Sequence, residues 1–169
     1  MRLLYLVCAV SVLSAQPSIS LALYEQTREA LEKALDSGVT RLDLVLLPSG
    51  EARPNVYGEF AMGYGGQPHD DVSLPNPAFF QHLDWVIRKA ASKKIQVRIL
   101  AVQMDSKLMS MNSAEKWFEF GRYLGRRYMK VKDLVWLRTV EPSAGSLLSL
   151  EEGIRHFDSV HRFELIKQP

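Results

Sequence analysis

Polar side chains follow three stretches of the sequence that we predict to be buried β-strands. Gln103 and Asp105 follow the second stretch, and Arg138 and Glu141 stand at the end of the third. The first stretch is followed by polar and aromatic residues, which are Ser49, Glu51, Arg53, Asn55 and Tyr57. In parallel α/β sheets the carboxyl ends of the strands meet at one edge, and functional residues collect there. This mixture of carboxylate, amide and aromatic groups is typical of a cleft that binds sugars.

The carboxylates among these residues have a catalytic and a structural interpretation. A carboxyl group at a strand end acts as a general acid when its surroundings raise its pKa. Two such groups about 5 Å apart would define a retaining glycosidase. Alternatively, Asp105 caps a loop, and Glu141, which stands beside Pro142, is a solvated turn residue. Tyr57 could stack on a sugar ring or pack the long loop-like stretch over residues 48–76.

Four segments have the composition of strands. They are VTRLDLVLLP (39–48), KKIQVRILAVQMD (93–105), DLVWLRTV (133–140) and RFELI (162–166). The continuous apolar runs within them suit strands that are buried on both faces, as in parallel sheets.

Helical patterns alternate with these strands. The first covers residues 24–38, the second begins after Asn76 with Pro77 in its first position, and the third begins after Ser113. A capping box at 149–152 predicts the start of a fourth helix. Gly121 and Gly125 would let the third helix approach a neighbour closely. The alternation of strands and helices predicts an α/β fold with a parallel sheet.

Composition argues against several classes of protein. The 169 residues carry 21 Lys and Arg against 19 Asp and Glu, so the concentrated basic surface that nucleic acid requires is not expected. Cys8 is the single cysteine, which excludes an intrachain disulfide and metal sites built on several thiolates. His69, Asp70 and Asp71 are adjacent and poorly spaced for one ion. No phosphate-binding, zinc-protease or nucleophile-elbow motif occurs, so we expect no metal and no cofactor.

The N-terminus has the pattern of a secretory signal. An almost wholly apolar run, LLYLVCAVSVL, follows one basic residue and is too short for a membrane span. An S-x-A sequence ends at Ala22, so residues 1–22 are predicted to be a signal peptide and residues 23–169 a secreted or periplasmic domain without a membrane span. The alternative is a buried first strand at RLLYLV.

Several segments of the sequence resemble the motifs of one protein family. PNPAFFQHLDWV fits a P-N-x-x-[YF]-F-x-H-x-D-W-V motif through Pro75, Asn76, Phe79, Phe80, His82, Asp84, Trp85 and Val86. RPNVYGEF fits an N-x-Y-G loop, and AVQMD keeps the final Asp of a P-T-W-G-D strand end. Two later segments match through Gly121, Leu124, Gly125, Arg127, Tyr128, Trp136, Gly153, Ile154, Arg155, Asp158 and His161. From about residue 24 onward, the chain resembles the apiosidase-like glycoside hydrolases (glycoside hydrolase family 140 and its relatives).

The resemblance implies a (β/α)8 barrel that cleaves a glycosidic bond in the side chains of plant polysaccharides. It also implies a catalytic carboxylate in a Gly-Gly-Asp sequence at the end of the fourth strand, where this chain has Glu141. A whole barrel takes about 250 residues, so the sequence corresponds to roughly the first five βα units of an incomplete TIM barrel. The second catalytic carboxylate is expected on a later strand. The residues expected to bind substrate are Asn55, Tyr57, Gln103, Asp105 and Arg138.

The sequence thus predicts a retaining glycoside hydrolase for pectic side chains of the plant cell wall, truncated and not necessarily active alone. The alternatives are a non-catalytic carbohydrate-binding or degenerate barrel fragment and a gene remnant without stable function. A carbohydrate is the expected partner. The edges of an open sheet also predict self-association.

Overall fold

The computed structural model of the chain describes residues 18–22, 25–64, 67–139 and 145–166. In chain order its elements are β1 (Ser18–Ala22), α1 (Arg28–Leu35), β2 (Arg41–Leu47), β3 (Gly63–Tyr64), β4 (Gln67–Pro68), α2 (Pro77–Ser92), β5 (Gln96–Val102), α3 (Lys107–Met111), α4 (Ala114–Tyr128), β6 (Leu134–Arg138), α5 (Ser146–Phe157) and β7 (Phe163–Leu165).

Within the described ranges, five strands form one sheet in the order β1-β2-β5-β6-β7, and every neighbouring pair is parallel. The short strands β3 and β4 form an antiparallel pair in the long loop after β2. Along the main sheet the strand order follows the chain without reversal. A doubly wound open sheet reverses direction at a switch point, whereas a (β/α)8 barrel does not. The predicted α/β class with a parallel sheet is therefore confirmed, and the strand order is that of a barrel segment.

The two faces of this sheet are packed differently. Toward the helices, β2 presents Leu42, Leu44 and Leu46, which are at most 2% exposed and belong to the main core. On the opposite face Leu100, Val135 and Leu137 form a second apolar cluster, with exposures of 6%, 1% and 6%. Burial on both faces is the reason the strand segments read as nearly continuous apolar runs.

Charged residues also lie on the second face. Arg98 Nε on β5 donates a 2.7 Å hydrogen bond to Asp43 Oδ1 on β2. Arg98 Nη1 lies 3.4 Å from Glu164 Oε2 on β7, so one arginine links three strands. The hydrogen bond to Asp43 is the main reason that the pKa of the half-buried Arg98 is raised above its ordinary value.

The predicted start sites of two helices are confirmed. Asn76 Oδ1 accepts from the backbone N–H of Ala78 at 3.0 Å at the start of α2, and Ser113 Oγ accepts from Lys116 N at 3.5 Å at the start of α4. The start predicted for the fourth helix is wrong. Helix α5 begins at Ser146 after Gly145, whose φ of 72° suits glycine, and Ser149 lies in its first turn. The earlier start brings Leu147 against the core.

Helices α4 and α5 pack with their backbones in contact, as Gly121 and Gly125 predicted. A Cβ atom on Gly121 would lie 2.2 Å from the carbonyl oxygen of Leu150, and one on Gly125 would lie 2.3 Å from that of Ile154. Gly153 on α5 is equally constrained, since its Cβ would lie 2.2 Å from Phe118 O. Only glycine allows this approach, so the three glycines fix the place of α5 behind β6 and β7.

Strand β1 lies inside the range predicted to be a signal peptide. Its residues pair with β2 from Ser18↔Arg41 to Ala22↔Val45. Cleavage after Ala22 would remove this strand from the sheet, and removal of a leader stays a prediction. The alternative first strand at RLLYLV falls on residues outside the described ranges. Among the described helices, none combines the length and apolar character needed to cross a membrane.

Candidate functional site

The carboxyl edge of the sheet brings Ser49, Gln103 and Asp105 together, and we call these three residues the edge cluster. Ser49 follows β2, while Gln103 and Asp105 follow the neighbouring strand β5. The backbone N–H of Ser49 donates to Gln103 Oε1 at 2.8 Å, and Ser49 Oγ lies 2.6 Å from Asp105 Oδ1. Two predicted site residues, Gln103 and Asp105, are therefore held beside each other at the surface.

The backbone around the edge cluster is held by hydrogen bonds between the loops after β2 and β5. Gln103 N donates to Leu47 O at 2.9 Å, and Gly50 N donates to Asp105 O at 3.1 Å. Lys107 N then donates to Gly50 O at 3.0 Å. These bonds continue the pairing of the two strands beyond their ends, so the edge cluster rests on a fixed backbone. The backbone of Asp105 belongs to this connection, and its side chain is exposed.

Arg138, the last residue of β6, is held by a carboxylate from α5. Its Nη1 lies 3.1 Å from Glu151 Oε2, and Glu151 Oε1 also accepts from Arg155 Nη2 at 2.8 Å. Glu151 is 9% exposed, so removal of one partner from these ion pairs would leave a charge poorly compensated and would be costly. Arg138 and Glu151 line a small cavity of about 30 Å³ whose other walls include Leu100, Leu137 and Thr139.

Glu141, the predicted acid/base, lies in the segment 140–144, outside the described residues. Strand β6 ends at Arg138, so Glu141 follows the carboxyl end of that strand in sequence by three residues. Its catalytic role stays a prediction.

Asn55 organises the loop after β2. It is 3% exposed, and its Oδ1 accepts from the backbone N–H groups of Tyr57 at 2.9 Å and Glu59 at 3.1 Å. These two bonds close a tight turn of the Asx type. Among the described residues no hydrogen bond joins Asn55 to the edge cluster. The structure therefore gives Asn55 a part in shaping the loop, while substrate binding by Asn55 stays a prediction.

Tyr57 contacts helices α1 and α2 rather than the edge cluster. Its hydroxyl accepts from Arg28 N at 3.3 Å, and its ring meets the edge of His82 at 5.1 Å between centroids. Arg28 also lies over the Trp85 ring at 5.3 Å. Burial, and next the charge of Arg28, lower the pKa of His82, so this imidazole is neutral near pH 7. Tyr57 remains 51% exposed, and its predicted role in substrate binding stays a prediction.

Several motif residues hold the scaffold. Arg127 on α4 binds both oxygens of Asp84 on α2, at 2.9 and 2.6 Å. Asp158 Oδ2 accepts from Trp136 Nε1 at 2.8 Å and lies 2.7 Å from His161 Nδ1. Burial by itself would raise the pKa of Asp158, but the hydrogen bonds from Trp136 and His161 outweigh it and lower that pKa.

The sequence does not identify Glu151 as a site residue, because it lies within the predicted capping box at 149–152. The only local signal is its spacing of four residues from Arg155, which is common on helix surfaces. Its contact with Arg138 arises from the packing of α5 on β6.

Within the described ranges, no group of three or more His, Cys, Asp or Glu side chains could hold a metal ion.

Comparison with known proteins agrees with this fold. The chain is similar to a glycoside hydrolase family 5 structure from Bacteroides vulgatus, with 19% identity, a TM-score of 0.64, and coverage of 82% of this chain and 31% of that one. A structure described as a glycoside hydrolase has 17% identity and a TM-score of 0.64, and the match covers 88% of this chain and 36% of that one. The endo-β-1,4-mannanase from Thermotoga petrophila has 14% identity and a TM-score of 0.57, and the match covers 90% of this chain and 42% of that one. No protein with a curated description matches the sequence.

At these identities the solved structures show the fold alone, which is a segment of a TIM barrel. The chain spans about a third of the length of the first two. The family described as "Apiosidase-like, catalytic domain" matches residues 19–165. That match runs from the first strand of the sheet to the last. The chain therefore belongs to the family of apiosidase-like catalytic domains.

Proposed function

We propose that the chain forms part of a retaining glycoside hydrolase acting on pectic side chains of the plant cell wall. The observation that carries this proposal is the edge cluster, in which the Ser49 hydroxyl after β2 lies beside an amide and a carboxylate that follow the adjacent parallel strand β5. Barrel enzymes bind their substrates at this end of the sheet. Family membership supports the glycosidase chemistry.

Within this proposal Glu141 acts as acid/base, and Arg138, Gln103 and Asp105 contact the sugar. Retaining hydrolysis needs a second carboxyl group as nucleophile, about 5 Å from the first. The chain spans only part of the matched glycoside hydrolases, so we place that nucleophile on a strand beyond the five that the structure describes.

The test is release of reducing sugar from pectic polysaccharides by a complete barrel, in which this chain is joined by the strands that carry the nucleophile, and by the Glu141→Gln variant of that barrel. Loss of the acid/base should lower the rate by at least about a hundredfold. Glu152→Gln is the matched control, because Glu152 is an exposed carboxylate on α5. NMR of the first product would report whether the anomeric configuration is retained. Equal rates for Glu141→Gln and the wild type would contradict the assignment of Glu141.

The second candidate is a non-catalytic carbohydrate-binding protein. The edge cluster favours it, because binding through Gln103 and Asp105 does not require the nucleophile. Calorimetry with pectic oligosaccharides should then show binding without release of sugar. Asp105→Ala should weaken that binding at least about tenfold, and Glu29→Ala, on the exposed side of α1, should preserve it. Sugar release that depends on Glu141 would exclude this candidate.

We also propose a secreted or periplasmic location and self-association through the edges of the sheet. A polysaccharide of the plant wall is met outside the cytoplasm, which supports the first part. Fractionation of cells that express the whole chain tests the location. Sedimentation of the purified protein tests self-association, and a monomer at all concentrations would contradict it.

A further inference from the structure

We infer that Ser49 is a positioning residue that orients Asp105, beside Gln103, for the recognition of two adjacent hydroxyl groups of a sugar. This inference rests on the proposed function, because it identifies the part of the sugar that the edge cluster binds. The sequence by itself indicates no specific role for Ser49, which is one of several polar residues after the first strand.

Hydrogen-bond distances indicate which acceptor the Ser49 hydroxyl bonds and which one its backbone N–H bonds. Its single hydroxyl hydrogen can go to one acceptor at a time, and the two candidates are Asp105 Oδ1 at 2.6 Å and Gln103 Oε1 at 3.2 Å. The shorter contact, with an ionised acceptor, is the stronger one. Gln103 Oε1 instead takes the backbone N–H of Ser49 at 2.8 Å. The hydroxyl therefore orients Asp105, and the backbone orients Gln103.

This arrangement leaves one donor and one acceptor side by side. With Oε1 of Gln103 engaged, its Nε2 is the remaining group, and it carries two hydrogens. With Oδ1 of Asp105 engaged, Oδ2 is the remaining acceptor. Among the described residues neither Gln103 Nε2 nor Asp105 Oδ2 has a hydrogen-bond partner, and both side chains reach the surface.

A pair of neighbouring sugar hydroxyls complements these two groups. One hydroxyl accepts from the Gln103 amide, and the next donates to the Asp105 carboxylate. A hydrogen bond to a charged acceptor discriminates strongly against an analogue that lacks the hydroxyl, because the site is left unpaired. The edge cluster thus selects a ring with a free vicinal diol.

A test without sugar examines the positioning. The carboxyl ¹³C resonance of Asp105 should shift in Ser49→Ala and return toward the wild-type value in Ser49→Thr, which keeps the hydroxyl. Ser110→Ala is the control, because Ser110 bonds only the backbone of its own helix. An Asp105 resonance that is the same in Ser49→Ala and the wild type would overturn the positioning role.

A second test measures binding of pectic oligosaccharides by calorimetry. Ser49→Ala should bind about tenfold more weakly than the wild type. The double variant S49A/D105A should bind no more weakly than Asp105→Ala, since both changes act through one carboxylate. Additive losses in the double variant would contradict the inference.

Oligosaccharides whose vicinal diols have been cleaved by periodate test the ligand chemistry. Binding of the intact but not the cleaved oligosaccharides is expected, and equal binding of both would overturn diol recognition. If the wild type binds intact oligosaccharides and Ser49→Ala binds them equally well, the inference fails while the proposed function stands. If the wild type binds none but the Asp105 resonance responds as expected, the positioning role stands and the proposed function fails.

Discussion

At the scale of single residues, carboxylates from equally recognisable motifs have opposite environments. Asp158 is 1% exposed, and its hydrogen bonds to Trp136 and His161 tie the end of α5 to β6. Asp105 is exposed at the carboxyl edge, with one oxygen bound by Ser49. A carboxylate whose oxygens are all engaged by the protein stabilises the fold, whereas one with a remaining acceptor can bind a ligand. Environment, rather than residue type, therefore separates scaffold from site.

His82 should make the stability of the protein depend on pH. Its pKa is lowered in the folded state from the ordinary value of 6.5, by burial and by Arg28, so the unfolded chain binds more protons below that value. The contribution is fully present above about pH 6.5 and is lost as the pH falls through the folded-state pKa. Urea unfolding at pH 7.5 and 5.0 should show a smaller loss for His82→Phe than for the wild type.

The matched control for His82 is His156→Gln, because His156 is exposed on α5. It should lose as much stability as the wild type between the two pH values. An unchanged pH dependence in His82→Phe would show that the buried imidazole does not set it.

Glu151 should matter to stability far more than its neighbour Glu152. Glu151→Ala leaves Arg138 and Arg155 without their shared carboxylate, which should cost about 2 kcal/mol in the free energy of unfolding. Glu152→Ala removes an exposed carboxylate from the same turn and should change it by less than about 0.5 kcal/mol. Denaturant titration measures both, and equal effects would contradict the role assigned to Glu151.

At the scale of elements, the contact between α4 and α5 is the tightest constraint on the described fold. Three glycines bring the two backbones together, and Asp158 then anchors the C-terminal end of α5 to β6. The same helix supplies Glu151, which holds Arg138 at the carboxyl end of that strand. The packing of one helix pair therefore places a predicted site residue.

Gly121→Ala should destabilise the protein even though alanine favours helices. Helix propensity alone would stabilise the variant by about 1 kcal/mol. The new Cβ would lie 2.2 Å from Leu150 O, so the helices must separate, and we expect a net loss of about 3 kcal/mol. Thermal unfolding gives the sign directly. Glu119→Ala, on the exposed side of α4, is the control and should be nearly neutral.

At the scale of the whole molecule, the five described strands form a segment of a barrel with an edge strand on each side. β1 lies at one edge and β7 at the other, and each has one neighbour within the described sheet. The face opposite the helices carries an apolar cluster and the Arg98 charge network, so both faces of the central strands contribute to stability. The edge strand β1 belongs to the same region of the sequence as the predicted leader.

Two N-terminal truncations should show whether the strand β1 is part of a removable leader or part of the fold. A chain that begins at Ser18 keeps β1, whereas one that begins at Leu23 loses its five residue pairs with β2. We expect the shorter chain to unfold at lower denaturant concentration and to aggregate, because the edge of β2 becomes exposed. Circular dichroism and sedimentation measure these properties. Equal stability of the two chains would contradict a structural role for β1.

The sequence alone predicted the elements whose signals are local. Residues close together in the chain are enough to predict the strand segments, the caps at Asn76 and Ser113, and the close packing at the glycines of α4. The structure confirms these predictions. The capping box at Ser149 was wrong because the core contact of Leu147 and the backbone freedom of Gly145 start α5 earlier. Local propensity is weaker than burial of an apolar face.

The family resemblance, the alternation of elements and the polar residues at strand ends were likewise accessible from the sequence. Tertiary structure alone decided which of those residues meet. It joined Ser49 to Asp105 across 56 positions and Arg138 to Glu151 across 13 positions. It also placed Tyr57 against α1 and α2. The physical reason is that strand pairing and helix packing bring together residues that are distant in the chain. A one-dimensional pattern can identify a strand end, but only the packed sheet determines its neighbours.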